Sequence, residues 1–293
     1  MRLVTLAALV GVIHVHQAPS HDTSASFEEV LEAAYDAGLD FVVLTQHVPT
    51  EARGPLPAAE HAGLYARPDG GQLRVLVGAE FGTRDGHLLA LDIPEVIPAE
   101  GRSGRNVIEA IHVAGGFAVV PHPFAYGGWQ DWDAPFDGVE VHNGAVVLRR
   151  ALGPLLPLRL LHLAFSWDGA MRRLLLRPER ELDVWERLLV DGRRVIAFSG
   201  VDAHQNLSLL GWQLDPYAQV FRSVQTLCPD GPLEQEPLWQ ALRSGACWIR
   251  YRLHEGRADA ATEVRFPSGR VELQLDDGRK VLEIRQPPQL APP

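Results

Sequence analysis

Eight side chains able to hold a metal ion fall at the ends of short apolar runs in this chain. His14 and His16 close the run LVGVI, His47 follows FVVLT, and Glu80 closes LRVLVGA. His87 opens HLLALDI after the turn Arg84-Asp85-Gly86, His122 follows FAVVP, and Asp202 and His204 follow VIAFS. Taken alone, an HxH pair reads more readily as one core histidine and one exposed one. Recurrence at run after run does not, because structural histidines have no reason to gather at strand ends. Residues i and i+2 of a strand share a face, which pairs His14 with His16 and Asp202 with His204. A carboxylate such as Glu80 at the end of a buried strand is costly unless a cation faces it. Imidazole nitrogens and carboxylate oxygens without a thiolate suit catalytic Zn, Mn or Fe rather than a structural zinc. The donors are too many for one ion and suit two or three sharing a bridging carboxylate. Closely spaced metals activate water, so the chemistry implied is hydrolysis.

These residues need elements that bring them to one place. Strand candidates cover Leu9–His16, Phe41–Thr45, Leu73–Glu80, His87–Ile93, Phe117–Pro121, Gly138–His142, Arg194–Ser199 and Ala218–Leu227. Between them lie helical patterns: one opened by the capping box Ser26-Phe-Glu-Glu29 and stopped at Gly38, one over Asn106–Ala114, two or three over Val146–Val190, and one over Pro237–Arg243. The stretch Val48–Gly71 is an irregular loop. Alternation of apolar strands with helices argues for an α/β barrel, in which residues at the carboxyl ends of several strands converge on one face. After Trp248 the pattern turns to alternating residues and Gly turns, in Arg270–Leu275 and Lys280–Arg285, ending in a disordered Pro287–Pro293. The expected division is a barrel over 1–250 and a short β appendage over 251–293.

At 293 residues the chain can bury one such barrel. A net charge of −10 without a basic stripe argues against long nucleic acid as partner and for a small-molecule substrate. Cys228 and Cys247 are far apart, show no CxxC pattern, and read as reduced thiols. The apolar start Leu3–Ile13 runs straight into His14 and reads as a buried first strand, not a leader. Nothing approaches about 18 uninterrupted apolar residues, so no membrane span is expected and the cytoplasm is the expected location. The oligomeric state is left open.

In order along the chain, HVH (14–16), SHD (20–22), LTQH (44–47), GAE (78–80), GHLLAL (86–91), Pro-His-Pro (121–123) and GVDAH (200–204) resemble the PHP (polymerase and histidinol phosphatase) family of metal-dependent hydrolases over residues 9–250. The cadence of the first, second, third and fifth motifs is similar to its carbaryl-hydrolase-like branch. The resemblance implies a distorted (β/α)7 barrel and a centre of two or three divalent metals, Zn, Mn or Fe. By position it implies His14, His16, Asp22, His47, Glu80, His87, His122, Asp202 and His204 as ligands, with Glu80 bridging. His21 is the alternative to Asp22 in the loop after His16. The family usually has Asp-His where this chain has Gln46-His47, which removes a charge that tunes the histidine.

His142 ends the run GVEVH and is expected at the same mouth; it and His204 are the candidates to protonate a leaving group. Arg84, Arg149 and Arg150 read as solvated or as anion ligands. His61, His112, His162 and His254 lie off the strand-end pattern and read as structural. Trp129, Trp132, Trp167 and Trp212 read as loop anchors or as an aromatic pocket wall. The expected activity is a phosphoesterase acting on a small molecule through a metal-bridging hydroxide. The alternatives are a carbamate, ester or amide hydrolase of the same fold and a degenerate, non-catalytic binding module, for which Gln46 is the support.

Overall fold

Strand-length runs apolar on both faces need cover on both sides, and a closed barrel wrapped by helices supplies it. The computed structural model describes residues 8–49, 52–99, 101–151, 166–209 and 211–290. Its strands are β1 (Ala8–Val15), β2 (Phe41–His47), β3 (Gly63–Ala66), β4 (Gln72–Thr83), β5 (Gly86–Leu91), β6 (Phe117–Val120), β7 (Gly138–Asn143), β8 (Ile196–Ala203), β9 (Ser208–Leu209), β10 (Trp212–Gln213), β11 (Gln225–Pro229), β12 (Trp248–Arg250), β13 (Thr262–Arg265), β14 (Val271–Leu275) and β15 (Lys280–Arg285). The helices are α1 (Phe27–Asp36), α2 (Gly104–Val113), α3 (Gly144–Ala151), α4 (Trp167–Leu174), α5 (Glu179–Val190), α6 (Tyr217–Phe221) and α7 (Gln235–Ser244).

Strands β1, β2, β4, β5, β6, β7 and β8 are neighbours in that order, and β8 pairs back onto β1 to close a seven-strand barrel. Phe41, Val42, Val43 and Leu44 of β2 are all fully buried, each such side chain contributing about 1.5–3 kcal/mol. Helix α1 starts where Ser26 and Glu29 cap each other reciprocally and buries Phe27, Val30, Ala33 and Ala34, a stripe at helical spacing.

The barrel is not a regular strand–helix alternation. β5 runs antiparallel to both β4 and β6. Among the described residues, the β2–β4 connection holds a 3-10 turn and β3 in place of an α-helix, and the β6–β7 connection holds no helix. The stretch from 48 to 71 is therefore partly ordered as strand. The expected strand Ala218–Leu227 is corrected: it opens with helix α6 and becomes strand only from Gln225. Pro216 sets the turn that starts the helix, and short apolar runs carry no period that separates the two states.

On the other side of β1 the sheet continues through β11, β12, β15, β14 and β13, so the C-terminal strands extend the barrel's own sheet. Cys228 in β11 and Cys247 beside β12 form a disulfide, correcting the expectation of reduced thiols. The antiparallel pair Leu227↔Trp248 brings them together, a register that their spacing in sequence does not reveal. The end of the chain is likewise ordered as far as residue 290. Leu290 is buried, and its carbonyl accepts a hydrogen bond from Arg194 Nη2 at 2.7 Å. No helix among the described residues is long and apolar enough to cross a membrane.

Candidate metal centre

The carboxyl ends of β1, β2, β4 and β8, with the start of β5 and the second residue after β6, meet in one buried cluster centred on Glu80. Parallel pairing of β2 with β4 sets His47 directly beside Glu80. The antiparallel return of β5 brings His87 Nδ1 to 2.7 Å from Glu80 Oε1. His122 Nε2 lies 3.1 Å from the same oxygen. The other oxygen, Oε2, lies 3.1 Å from His14 Nε2, 3.3 Å from His16 Nε2 and 3.5 Å from His47 Nδ1. Asp202 Oδ1 approaches His14 Nε2 at 3.4 Å and His16 Nε2 at 3.6 Å. At the rim, Asp22 Oδ2 sits 3.0 Å from His47 Nε2 and 2.7 Å from His204 Nε2.

Irregular backbone aims several of these groups. Pairing slips by one residue between Ile13 and Val15, leaving His14 as a bulge with φ 69°. His122 (φ 30°) and Asp202 (φ 50°) also occupy the left-handed region. L residues adopt that region at a cost, and such strain clusters where surrounding structure needs a side chain redirected.

The electrostatics are those of a site suited to a cation. Burial pushes the Glu80 carboxyl up, but His14, His122 and His16 outweigh it and hold it well below the usual range. Asp202 is lowered as well: burial opposes, and His14 and His204 prevail. Asp22 is depressed because hydrogen bonds from His204 and His47 exceed its burial cost. His14 is raised well above its ordinary value, burial being outweighed by Glu140, Asp202 and Glu80. His16 goes the other way, to about 4, because burial dominates. Its two ring nitrogens are buried without a hydrogen-bond partner; Nε2 is close to Glu80 but not aligned to donate to it. A neutral imidazole with an orphaned lone pair beside two ionised carboxylates is a donor set that a divalent cation completes.

Four overlapping groups, each with ligand atoms within 4.8 Å of one another, cover the cluster: His16, Asp22, His47 and His204; His14, His16 and Glu80; His14, His122 and Asp202; Glu80, His87 and His122. All nine residues implied as ligands are thus brought together. His21 lines the cleft, its ring 4.8 Å from that of His47, but belongs to none of these groups.

His142 is not among them. A second slip in pairing, between Glu140 and His142, breaks the alternation of β7. His142 Nδ1 faces Tyr251 Oη at 3.4 Å, and the residue lines a cavity of about 80 Å³ beside the main cleft. Burial lowers it to about 3. Glu140, which the sequence reading passed over, turns inward: its Oε1 lies 2.7 Å from His14 Nδ1. Two further residues were also missed. Tyr217 Oη donates to the His16 carbonyl at 2.6 Å, and Thr23 Oγ1 to the His204 carbonyl at 2.5 Å. The hydroxyl types were visible in sequence, but nothing there marked their partners.

Gln46 does not orient His47. Its Oε1 accepts from the backbone N–H of Gln17 at 3.1 Å, bracing the chain just past His16. The cleft over the cluster, about 550 Å³, is lined also by Pro19, Tyr126 and Arg149. The Arg149 guanidinium lies 5.1 Å from the Tyr126 ring centre, and among the described residues no carboxylate pairs with it. Arg84 does not line this cleft, and the side chain of Arg150 lies outside the described residues. Trp129 and Trp132 pack with Phe136, Trp167 lines the smaller cavity, and Trp212 is exposed. His61 stacks on Phe27, His112 pairs with Asp137 and His254 bonds to the Val281 carbonyl. His162 lies outside the described residues.

No protein-family model matches the chain. An uncharacterised protein of Methanocaldococcus jannaschii is 30% identical over 118 residues, 39% of this chain and 64% of that relative, so less than two thirds of its length is spanned. Among solved structures, a two-domain Bacteroides vulgatus protein containing a predicted PHP-like metal-dependent phosphoesterase aligns with TM-score 0.53 at 15% identity, covering 96% of this chain and 86% of that one. The likeness is one of fold. It supports the PHP resemblance and does not reach the carbaryl-hydrolase-like branch. Endonuclease Q, solved with a 27-mer duplex carrying an abasic lesion at its active site, aligns with TM-score 0.45 at 14% identity over 81% of this chain and 57% of its own. That finding overturns the expectation of a small-molecule partner with long nucleic acid excluded. Net charge is a property of the whole chain, whereas phosphate meets the local field of a site.

Proposed function

We propose that this chain is a metal-dependent phosphoester hydrolase of the PHP type. The observation that carries the reading is the buried, ionised Glu80 ringed by His14, His16, His47, His87 and His122, with Arg149 at the mouth of the same cleft. His14, His16, Asp22, His47, Glu80, His87, His122, Asp202 and His204 would hold two or three divalent ions. When bound, such ions lower the pKa of water and stabilise attacking and leaving oxygens.

The protein's own groups do the rest. Glu80 and Asp202 keep their charge despite burial and so fix the negative end of the site. The Arg149 guanidinium offers a planar fork to a phosphoryl oxygen, and Tyr126 holds it over the cleft. His204 has both ring nitrogens engaged, Nε2 with Asp22 at 2.7 Å and Nδ1 with the Asp202 carbonyl at 2.9 Å. That favours a ligand role over proton delivery. His142, facing Tyr251, is also unsuited to protonate a leaving group in the cleft.

A second reading, a carbamate or ester hydrolase of the carbaryl-hydrolase-like branch, draws support from the cavity that shares Arg149, Asp202 and His204 with the cleft and is lined by Leu148, Trp167, Met171 and Val201. The non-catalytic module draws less support, since Gln46 accepts from the Gln17 backbone and braces the chain there. The test is a panel of p-nitrophenyl phosphate, bis(p-nitrophenyl) phosphate, a labelled oligonucleotide and a naphthyl carbamate, run with Mn or Zn. Phosphoester turnover, with KM raised by Arg149→Ala and kcat little changed, is the expected result. Carbamate turnover alone would favour the second reading.

A further inference from the structure

Glu140 touches more of the candidate centre than a buried carboxylate needs for its own sake. Its Oε1 lies 2.7 Å from His14 Nδ1. Its Oε2 accepts from the His122 backbone N–H at 2.9 Å and from Asn143 Nδ2 at 2.9 Å. The His122 N–H can only donate. The Asn143 amide is oriented independently, because its Oδ1 accepts from Val146 N at 3.0 Å and so turns Nδ2 toward Glu140. With Oε2 receiving two donors, Oε1 is left to accept from His14. That holds one ring proton on Nδ1, so in the neutral ring that a metal ligand must be, the lone pair is on Nε2, the nitrogen facing Glu80 and Asp202. The carboxylate thereby holds two groups whose backbones lie in the left-handed region, His14 and His122. Gly200 makes room for it: a Cβ there would fall 1.8 Å from Glu140 Oε1.

We infer that Glu140 is a positioning residue for the metal centre, fixing the ring proton of His14 on Nδ1 so that Nε2 faces the ions, and anchoring His122 through its backbone. Carboxylates in this relation to a ligand histidine set its orientation and basicity, and their loss typically weakens metal binding about 10–100-fold. A glutamine cannot substitute, because three donors converge on two oxygens and its NH2 would meet one of them. The inference rests on the metal-centre reading above, and the test separates the two.

The protein is stripped with chelator, and Mn and Zn affinities are measured by calorimetry for wild type, Glu140→Gln and Glu283→Gln, with the Tm of each metal-free protein alongside. Glu283 is a buried carboxylate paired with Arg250 and Arg285, away from the cleft, and controls for loss of stability alone. The expected result is an affinity loss of about 10–100-fold for Glu140→Gln and none for Glu283→Gln. In parallel, nitrogen-15 NMR of the zinc-loaded wild type should find the His14 proton on Nδ1, which needs no variant to fold. Glu140→Gln binding as tightly as wild type, an equal loss in Glu283→Gln, or a His14 proton on Nε2 would each overturn the inference while leaving the metal centre standing. A folded wild type that binds neither metal would overturn both readings.

Discussion

Glu80 and His87 meet at 2.7 Å, Oε1 to Nδ1, because β5 turns back antiparallel on β4 instead of crossing over through a helix. The pairing runs Glu80↔Leu89 and Gly82↔His87, so the hairpin carries His87 past the barrel rim and back over the carboxylate. The departure from regular strand–helix alternation and the assembly of the site are one feature.

The metal-free protein should be most stable near about pH 6.5, the ordinary histidine value. His14, His87 and His204 have raised pKa values, through their carboxylate partners against burial for His14 and His204 and chiefly through the Glu80 hydrogen bond for His87. Stability from raised histidines is fully present below the unfolded value and lost as pH climbs through the folded ones. His16, lowered to about 4, and His142, lowered to about 3, act in the opposite sense and cost stability as pH falls below about 6.5. Tm in chelator across mildly acidic to alkaline buffers checks this; a Tm that keeps rising into alkaline pH contradicts it. Metal affinity should instead rise with pH, because ligands must shed protons.

Glu272→Ala should cost about 1–3 kcal/mol without changing metal content. Glu272 is fully buried and accepts from Arg177 Nε at 2.7 Å and from the almost fully buried Arg270, which also reaches Glu186 Oε2 at 2.6 Å. Its removal takes one carboxylate from each of two guanidinium groups, leaving Arg177 with Glu179 and Arg270 with Glu186. Denaturant unfolding with parallel metal analysis reads both halves of the prediction.

Breaking the Cys228–Cys247 disulfide, which closes a separation of 19 residues, should lower stability by about 3 kcal/mol through release of chain entropy. Unfolding midpoints with and without reductant, beside a Cys228→Ser/Cys247→Ser variant, would agree. A midpoint indifferent to reductant would show that the bond contributes nothing.

Gly200→Ala should destabilise by about 1–3 kcal/mol, since the added methyl would fall on the buried Glu140 carboxylate. Circular dichroism melts measure it, and an unchanged Tm would mean that Glu140 moves aside freely.

Much of the site was legible because barrel strands advertise themselves as apolar runs and their carboxyl ends converge whatever lies between. His14, His47, Glu80 and Asp202 were found on that basis alone. What escaped were local breaks in the pattern. The slip in β7 exchanged His142 for Glu140, and a period-two reading of GVEVH cannot contain a bulge. The disulfide and the Tyr217 contact to the His16 carbonyl depend on long-range register, which no spacing encodes. Helix α6 reads as strand in the sequence because apolar residues over so short a stretch fit either period. The charge argument against nucleic acid failed for a different reason, since it averaged over the chain a property that belongs to the site.

The central claim is that the Glu80 cluster holds metal, and metal content tests it most directly. The protein, purified without chelators, is analysed by mass spectrometry beside Glu80→Ala. About two or more equivalents of Zn, Mn or Fe in the wild type, lost in a folded Glu80→Ala protein, is the predicted result. A folded wild type that carries no metal and takes up neither added Mn nor Zn would contradict the account.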